Sequence, residues 1–236
     1  MLPRALIGEI KPENWLGFID AIYAIILTLL LIELPSAILA LIKEYELHPN
    51  LHWALLNSFT LSLFGYLSTF IIVYDIWAHH RVVVVEATLR RVNLSMGILI
   101  LFLCSLLPPM VHVVSVIEHE YMTGESNPAG AYSIVFWDAK LAVYLTTLSV
   151  YGCITLIAAK DLRFFRQQGG EAGSRVNALK QLKDSGLTMV IVIVVVCFLS
   201  LKEYIHPPTP IVAIALCTHL PVDKLLLQLK RLILPH

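Results

Sequence analysis

The chain has 236 residues, with 17 Lys and Arg balancing 17 Asp and Glu, and is 58% hydrophobic against 14% charged. Soluble domains carry about a quarter charged residues, so a water-soluble fold is excluded and lipid is the solvent that suits this composition. Zero formal net charge removes the bulk basic character that nucleic-acid binding draws on, and no nucleic-acid partner is expected.

Six apolar runs follow in chain order. The first is 15–34, which Pro35 is expected to stop or bend. The second is 55–77. The third, 92–116, contains Pro108 and Pro109. The fourth is 132–159 and the fifth 186–201. The sixth, 211–229, is interrupted by Pro221, Asp223 and Lys224. About 20 residues cross a hydrocarbon core of ~30 Å. Backbone groups in lipid must be satisfied within the segment, which makes each run a helix. The sixth is the weakest, since its continuous apolar part ends near Leu220; it fits a short or tilted span with Lys224 snorkelling to the interface. The expected fold is an all-α membrane protein of six transmembrane helices in a single domain, 1–236, without a soluble domain or internal repeat. The first run is too long for a signal-peptide core and has no small-residue cleavage site after it, so it is expected to remain as a helix.

Charge between the runs sets an orientation. Arg4 and Lys11 precede the first run. Arg81, Arg90 and Arg91 follow the second. Lys160, Arg163, Arg166, Arg175, Lys180 and Lys183 follow the fourth, and Lys224, Lys230 and Arg231 lie at the end. The alternate side holds only Lys43 and Lys202, with Glu118, Glu120 and Glu125 after the third run. The positive-inside rule then puts both termini in the cytoplasm, and only an even helix count closes this alternation. The stretch Gln167 to Ser174, rich in Gly and Gln, is a flexible linker by composition that divides four helices from two.

Cys104, Cys153, Cys197 and Cys217 each lie in apolar surroundings with no CxxC spacing, and read as small core residues. Nine histidines invite a metal or haem reading. His79 and His80 are adjacent and would point ~100° apart on a helix. His112 and His119 straddle the expected end of the third helix. His48, His52, His206 and His219 are scattered. Neither HExxH, Glu-x-x-His nor CxxCH occurs, so no metal or cofactor is expected. GxxxxGK[ST] and GxSxG are also missing, and the chain is not expected to be an enzyme.

Ionisable residues inside a span cost on the order of 3 kcal/mol and often mark function. Asp20 opens the first helix, where the macrodipole favours a carboxylate, and Glu33 lies at its far, interfacial end. Asp75 precedes Trp77, His79 and His80, which read as an interfacial belt. Asp138 and Lys140 lie about two turns inside the fourth run, close enough to its outer end to be wet.

The first run reads Asn14-Trp15-Leu16-Gly17-Phe18-Ile19-Asp20-Ala21-Ile22-Tyr23-Ala24-Ile25-Ile26-Leu27-Thr28-Leu29-Leu30-Leu31-Ile32-Glu33-Leu34. It resembles the opening helix of the endosomal and lysosomal transmembrane potassium channel family, in its bacterial single-repeat branch. The family signature is Arg-x-x-x-Phe-Ser-Asp followed by a small residue and a helix ending near Thr-Leu-Leu-x-x-Glu. Phe18, Asp20, Ala21, Ala24, Thr28, Leu29, Leu30 and Glu33 match; Asn14 and Ile19 stand where the family has Arg and Ser, removing a cation and a hydroxyl from its hydrogen-bond network. Trp77-Ala78-His79-His80-Arg81 is similar to the family's ending of the second helix, and Asn93-Leu94 with Leu106-Leu107-Pro108 to its third.

The resemblance implies a homotetramer of six-helix subunits in the bacterial inner (plasma) membrane, passing potassium ions between lipid-embedded helices. The first helices would line the pore, with Ile25 as an apolar constriction and Thr28 one turn deeper. Helical spacing continues that face to Leu29 and Ile32. Phe18, Asp20, Trp77, His80 and Asn93 would form the supporting and gating network. A Thr-Val-Gly-Tyr-Gly carbonyl filter is not among the motifs; Phe64-Gly65-Tyr66 resembles it only faintly, in mid-helix. A ring of isoleucines would gate by dewetting instead. Two competitors use other residues. A proton-coupled secondary transporter would relay protons through Asp20, Asp75 and Asp138 and use breaks at Pro35, Pro108–Pro109 and Pro221. A haem-binding membrane protein would use the histidines.

Overall fold

The computed structural model describes residues 12–47, 52–87, 91–123, 131–167, 173–201 and 214, and all of these except Ala87 and Gly173 are helical. Five helices result: α1 (Pro12–Leu47), α2 (His52–Glu86), α3 (Arg91–Thr123), α4 (Ala131–Gln167) and α5 (Ser174–Leu201). Apolar stretches long enough to cross a membrane occur at Trp15–Ile32, Asn93–Val114, Lys140–Phe165 and Ser174–Leu199. The protein is an all-helical membrane protein over these residues. The sixth run, 211–229, lies outside the described residues except for Ile214, which is helical and buried.

The helices are longer than the apolar runs that predict them. Pro35 does not end α1, which continues to Leu47, and Pro108 and Pro109 sit inside α3. Such prolines are tolerated in apolar helices because neighbouring helices and local adjustment re-satisfy the freed carbonyls. The expected loop between the fourth and fifth runs also shrinks. Lys160 and Arg163 belong to α4, while Arg175, Lys180 and Lys183 belong to α5. Val176, Leu179 and Leu182 turn inward there while Arg175, Lys180 and Gln181 are exposed. That helical periodicity extends α5 three turns ahead of its apolar run. The carbonyl of Gly173 accepts the Asn177 N–H at 3.2 Å, opening the helix.

α2 is the hub. It packs against α1, α3, α4 and α5, while α4 lies between α3 and α5 and α1 rests on α2 and α3. Its central position suits its composition, since Ser68, Thr69 and His80 on α2 are all buried in protein and so kept from lipid, which cannot hydrogen-bond to them. α4 and α5 approach closely at Gly186, where an added Cβ would sit 2.5 Å from Thr155 Oγ1; small residues at such crossings let backbones near one another. The core runs continuously through all five helices and Ile214.

Two placements correct the sequence reading. Lys140, expected at a wet surface, is only 3% exposed. His80, expected in an interfacial belt, is fully buried, because α2 is covered on several sides and its end lies against other helices. The side chains of Glu33 and Asp138 lie outside the described residues.

Candidate functional site

α1 has two distinct faces. Ile19, Tyr23, Ile26 and Leu30 are buried, and their i, i+4, i+7, i+11 spacing makes one stripe against α2 and α3. At ~100° per residue, the opposite face is centred on Gly17, Ala21, Ala24, Thr28 and Pro35, all exposed. A bulkier row, Phe18, Ile25, Leu29 and Ile32, borders it. Ile25 and Ile32 are 60% and 63% exposed. The four residues expected to line a pore, Ile25, Thr28, Leu29 and Ile32, therefore form one patch facing away from the subunit core. Thr28 donates its hydroxyl to the Ala24 carbonyl at 2.7 Å, which satisfies it within the helix.

Behind that face, polar contacts tie α1 to its platform. The indole Nε1–H of Trp77 donates to Asp20 Oδ1 at 2.7 Å. The Trp77 ring is capped by the Arg81 guanidinium, 5.6 Å from its centroid, and packs against Tyr74. One turn further along α1, the Tyr23 hydroxyl lies 3.2 Å from His80 Nδ1 and 3.6 Å from Cys104 Sγ. A charge-assisted bond and a buried hydroxyl pair thus fix α1 to α2 and α3 within two turns. Asn93 is also buried, but its amide donates to Asp161 Oδ1 of α4 at 3.2 Å. Phe18 stands apart from these contacts. It is half exposed, with its ring 5.3 Å from that of Trp15.

A second cluster lies on another side of α2. The Tyr151 hydroxyl donates to Asp75 Oδ2 at 2.5 Å. His79 Nδ1–H donates to the Asp75 carbonyl at 2.8 Å and lies 3.2 Å from Asp75 Oδ2. His79 Nε2 meets Ser185 Oγ at 2.9 Å. These contacts join α2, α4 and α5. A third pair, Tyr66 and His112, is 3.0 Å apart. Arg175 at the start of α5 donates to the Glu86 carbonyl of α2 and covers the Phe165 ring of α4 at 4.7 Å.

Sequence reasoning did not single out Tyr23, Tyr151, Asp161 or Ser185, and it read Cys104 only as a small core residue and Tyr66 only as part of a faint filter resemblance. One signal was present: a tyrosine in mid-span must find a partner for its hydroxyl, and the chain holds few candidates besides the histidines and Asp75. Among the described residues, Cys104, Cys153 and Cys197 are free thiols, and no three His, Cys, Asp or Glu side chains gather as a metal site. Cys217, His48, His206 and His219 lie outside the described residues.

Residues 16–108 match the family model of the endosomal/lysosomal potassium channel TMEM175. The match spans the apolar part of α1, all of α2 and α3 as far as Pro108, and so contains the Asp20–Trp77 and Tyr23–His80–Cys104 contacts. Comparison with curated proteins and with solved structures finds no match.

Proposed function

We infer from the match over residues 16–108 that this protein is a potassium-conducting channel assembled from several copies of the chain. The observation that carries the reading is the division of α1 into a buried stripe and an opposite exposed patch. Among the described residues the patch faces away from the subunit core, so conduction along it requires copies to meet there. Large apolar side chains cover the exposed faces of α3 and α5, among them Ile98, Leu99, Phe102, Leu187, Ile191 and Phe198, as lipid contact demands. α1 instead centres its exposed face on Gly17, Ala21, Ala24 and Thr28, the small-residue pattern that allows helices to approach closely in a membrane.

In a homotetramer, the small stripe of one α1 lies against its neighbour, and Ile25 and Ile32 turn toward the shared axis. They are one heptad apart, about 10.5 Å along the helix, and form two apolar rings separated by Thr28 and Leu29. The rings gate by dewetting and confer weak to moderate potassium preference, without a carbonyl cage. Both termini and the basic segments lie on the cytoplasmic side of a bacterial plasma membrane, with the sixth helix completing the subunit.

The test is potassium flux through the purified chain in liposomes. Ile25→Asn places an amide at the narrow ring and should raise single-channel conductance or relax selectivity several-fold. Unchanged currents would remove Ile25 from the conduction path. Flux that vanishes without a proton gradient would remove the channel reading itself.

A further inference from the structure

His80 is held at one ring nitrogen and not at the other. Nδ1 meets the Tyr23 hydroxyl at 3.2 Å, while Nε2, in a side chain with 0% exposure, has no hydrogen-bonding partner among the described protein atoms. A buried polar atom left this way costs about 1–3 kcal/mol, and nearly all such atoms in folded proteins are paired with protein or with ordered water. His80 also lines a cavity with Asn93, Gly97 and Trp15. The space that a water centre can occupy there is about 20 Å³, above the ~10–15 Å³ that one water needs. Gly97 keeps it open: a Cβ at that position would stand 3.2 Å from His80 Nε2.

We propose that this cavity is a binding site for a single water molecule, hydrogen-bonded to His80 Nε2 and Asn93, at the junction of α1, α2 and α3. The chemistry selects water over other small ligands. If Nδ1 accepts the Tyr23 proton, Nε2 carries its own hydrogen and needs an acceptor; if Nδ1 donates to Tyr23, Nε2 needs a donor. Water serves either tautomer. Asn93 supplies the second polar partner that a buried water requires. A cation is disfavoured because the described lining residues include no carboxylate to offset its desolvation. The bound water completes a chain from Tyr23 through His80 to Asn93, which is itself bonded to Asp161, so that α1 is coupled to α4 through groups that do not touch the outer face.

Solid-state NMR of the full chain, ¹⁵N-histidine labelled in liposomes, tests this by magnetisation transfer from water to His80 Nε2, with His80 assigned by its contact to Tyr23. The expected result is a water cross-peak in the wild type that falls at least five-fold in Gly97→Ala while the Tyr23 contact remains. A wild type without the cross-peak overturns the site, as does a Gly97→Ala variant that keeps it at full strength. Should Gly97→Ala fail to fold, a wild-type density map that resolves other buried waters decides. Density within hydrogen-bonding distance of Nε2 upholds the site, and a featureless cavity overturns it.

Discussion

Breaking the Asp20–Trp77 contact measures how firmly α1 is held to α2. Trp77→Phe removes the indole N–H that reaches Asp20 Oδ1 at 2.7 Å but keeps an aromatic ring under Arg81. Asp20→Ala removes the acceptor. A hydrogen bond to a charged group contributes about 1.5–3 kcal/mol. Asp20 and Trp77 are both partly exposed, so screening lowers the expected coupling between the two substitutions to about 1–2 kcal/mol. Trp77→Phe alone should cost more than this coupling. The smaller ring also weakens the stack with Arg81 at 5.6 Å, a cation–π contact worth about 0.5–1 kcal/mol at such a site. The double-mutant cycle separates the two contributions, because the Arg81 stack is weakened equally with or without Asp20. Equilibrium unfolding of the full chain in mixed micelles, titrated with a denaturing detergent, gives the four free energies. A coupling below about 0.5 kcal/mol, the range within which independent sites add, would show that the contact does not hold α1 in place.

Gly186→Ala puts a Cβ 2.5 Å from Thr155 Oγ1. Overpacking of that kind costs about 1–3 kcal/mol, and Thr155→Ala in the same chain should recover most of it in the same unfolding assay. Tyr151→Phe removes the hydroxyl that donates to Asp75 Oδ2 at 2.5 Å. The carboxylate then keeps only His79 among these partners, and the loss should be about 1–3 kcal/mol. Stability within 0.5 kcal/mol of wild type would contradict the pairing.

The membrane class and the first helix were legible because lipid imposes a simple rule: runs of ~20 apolar residues become helices. Which side of that helix is buried was not legible, because the run is apolar all round and spacing alone does not separate the stripe of Ile19, Tyr23, Ile26 and Leu30 from the face opposite. Helix ends were not legible. Beyond the hydrocarbon, helices continue wherever packing supports them, so Lys160 and Arg175 entered helices that hydropathy assigned to a loop. Proline misled for a related reason: at Pro35 and Pro108–Pro109 the rule for helix breaking yields to the requirement that backbone groups be satisfied in an apolar setting. The polar contacts were half legible. Asp20 and Trp77 stood out through resemblance to a family motif, but the pairing of Tyr151 with Asp75 spans 76 residues. No local pattern encodes which of several neighbours a mid-span hydroxyl will choose.

Among the described polar side chains in the apolar stretch of α1, Asp20 and Tyr23 are placed where they anchor the helix. Asp20 and Tyr23 both face α2, and the Thr28 hydroxyl on the outer face is already bonded to the Ala24 carbonyl. Under the proposed function, a path lined by this face would offer a passing cation few free ligands, and its barrier would be set by how far the apolar rings part to admit water. In the proposed assembly, parting them means tilting or rotating α1 on the platform of α2 and α3. Resistance to that motion comes from the contacts of Asp20 and Tyr23, both within the first three turns of the apolar stretch, while Ile25 and Ile32 lie beyond them. Substitutions at the anchors should then alter how often the path opens, and substitutions at the rings should alter what passes once it is open. Single-channel records separate the two: Trp77→Phe should change open probability at unchanged unitary conductance, and Ile25→Asn should change unitary conductance itself. Equal effects of both variants on conductance would show that anchor and ring are not separate parts.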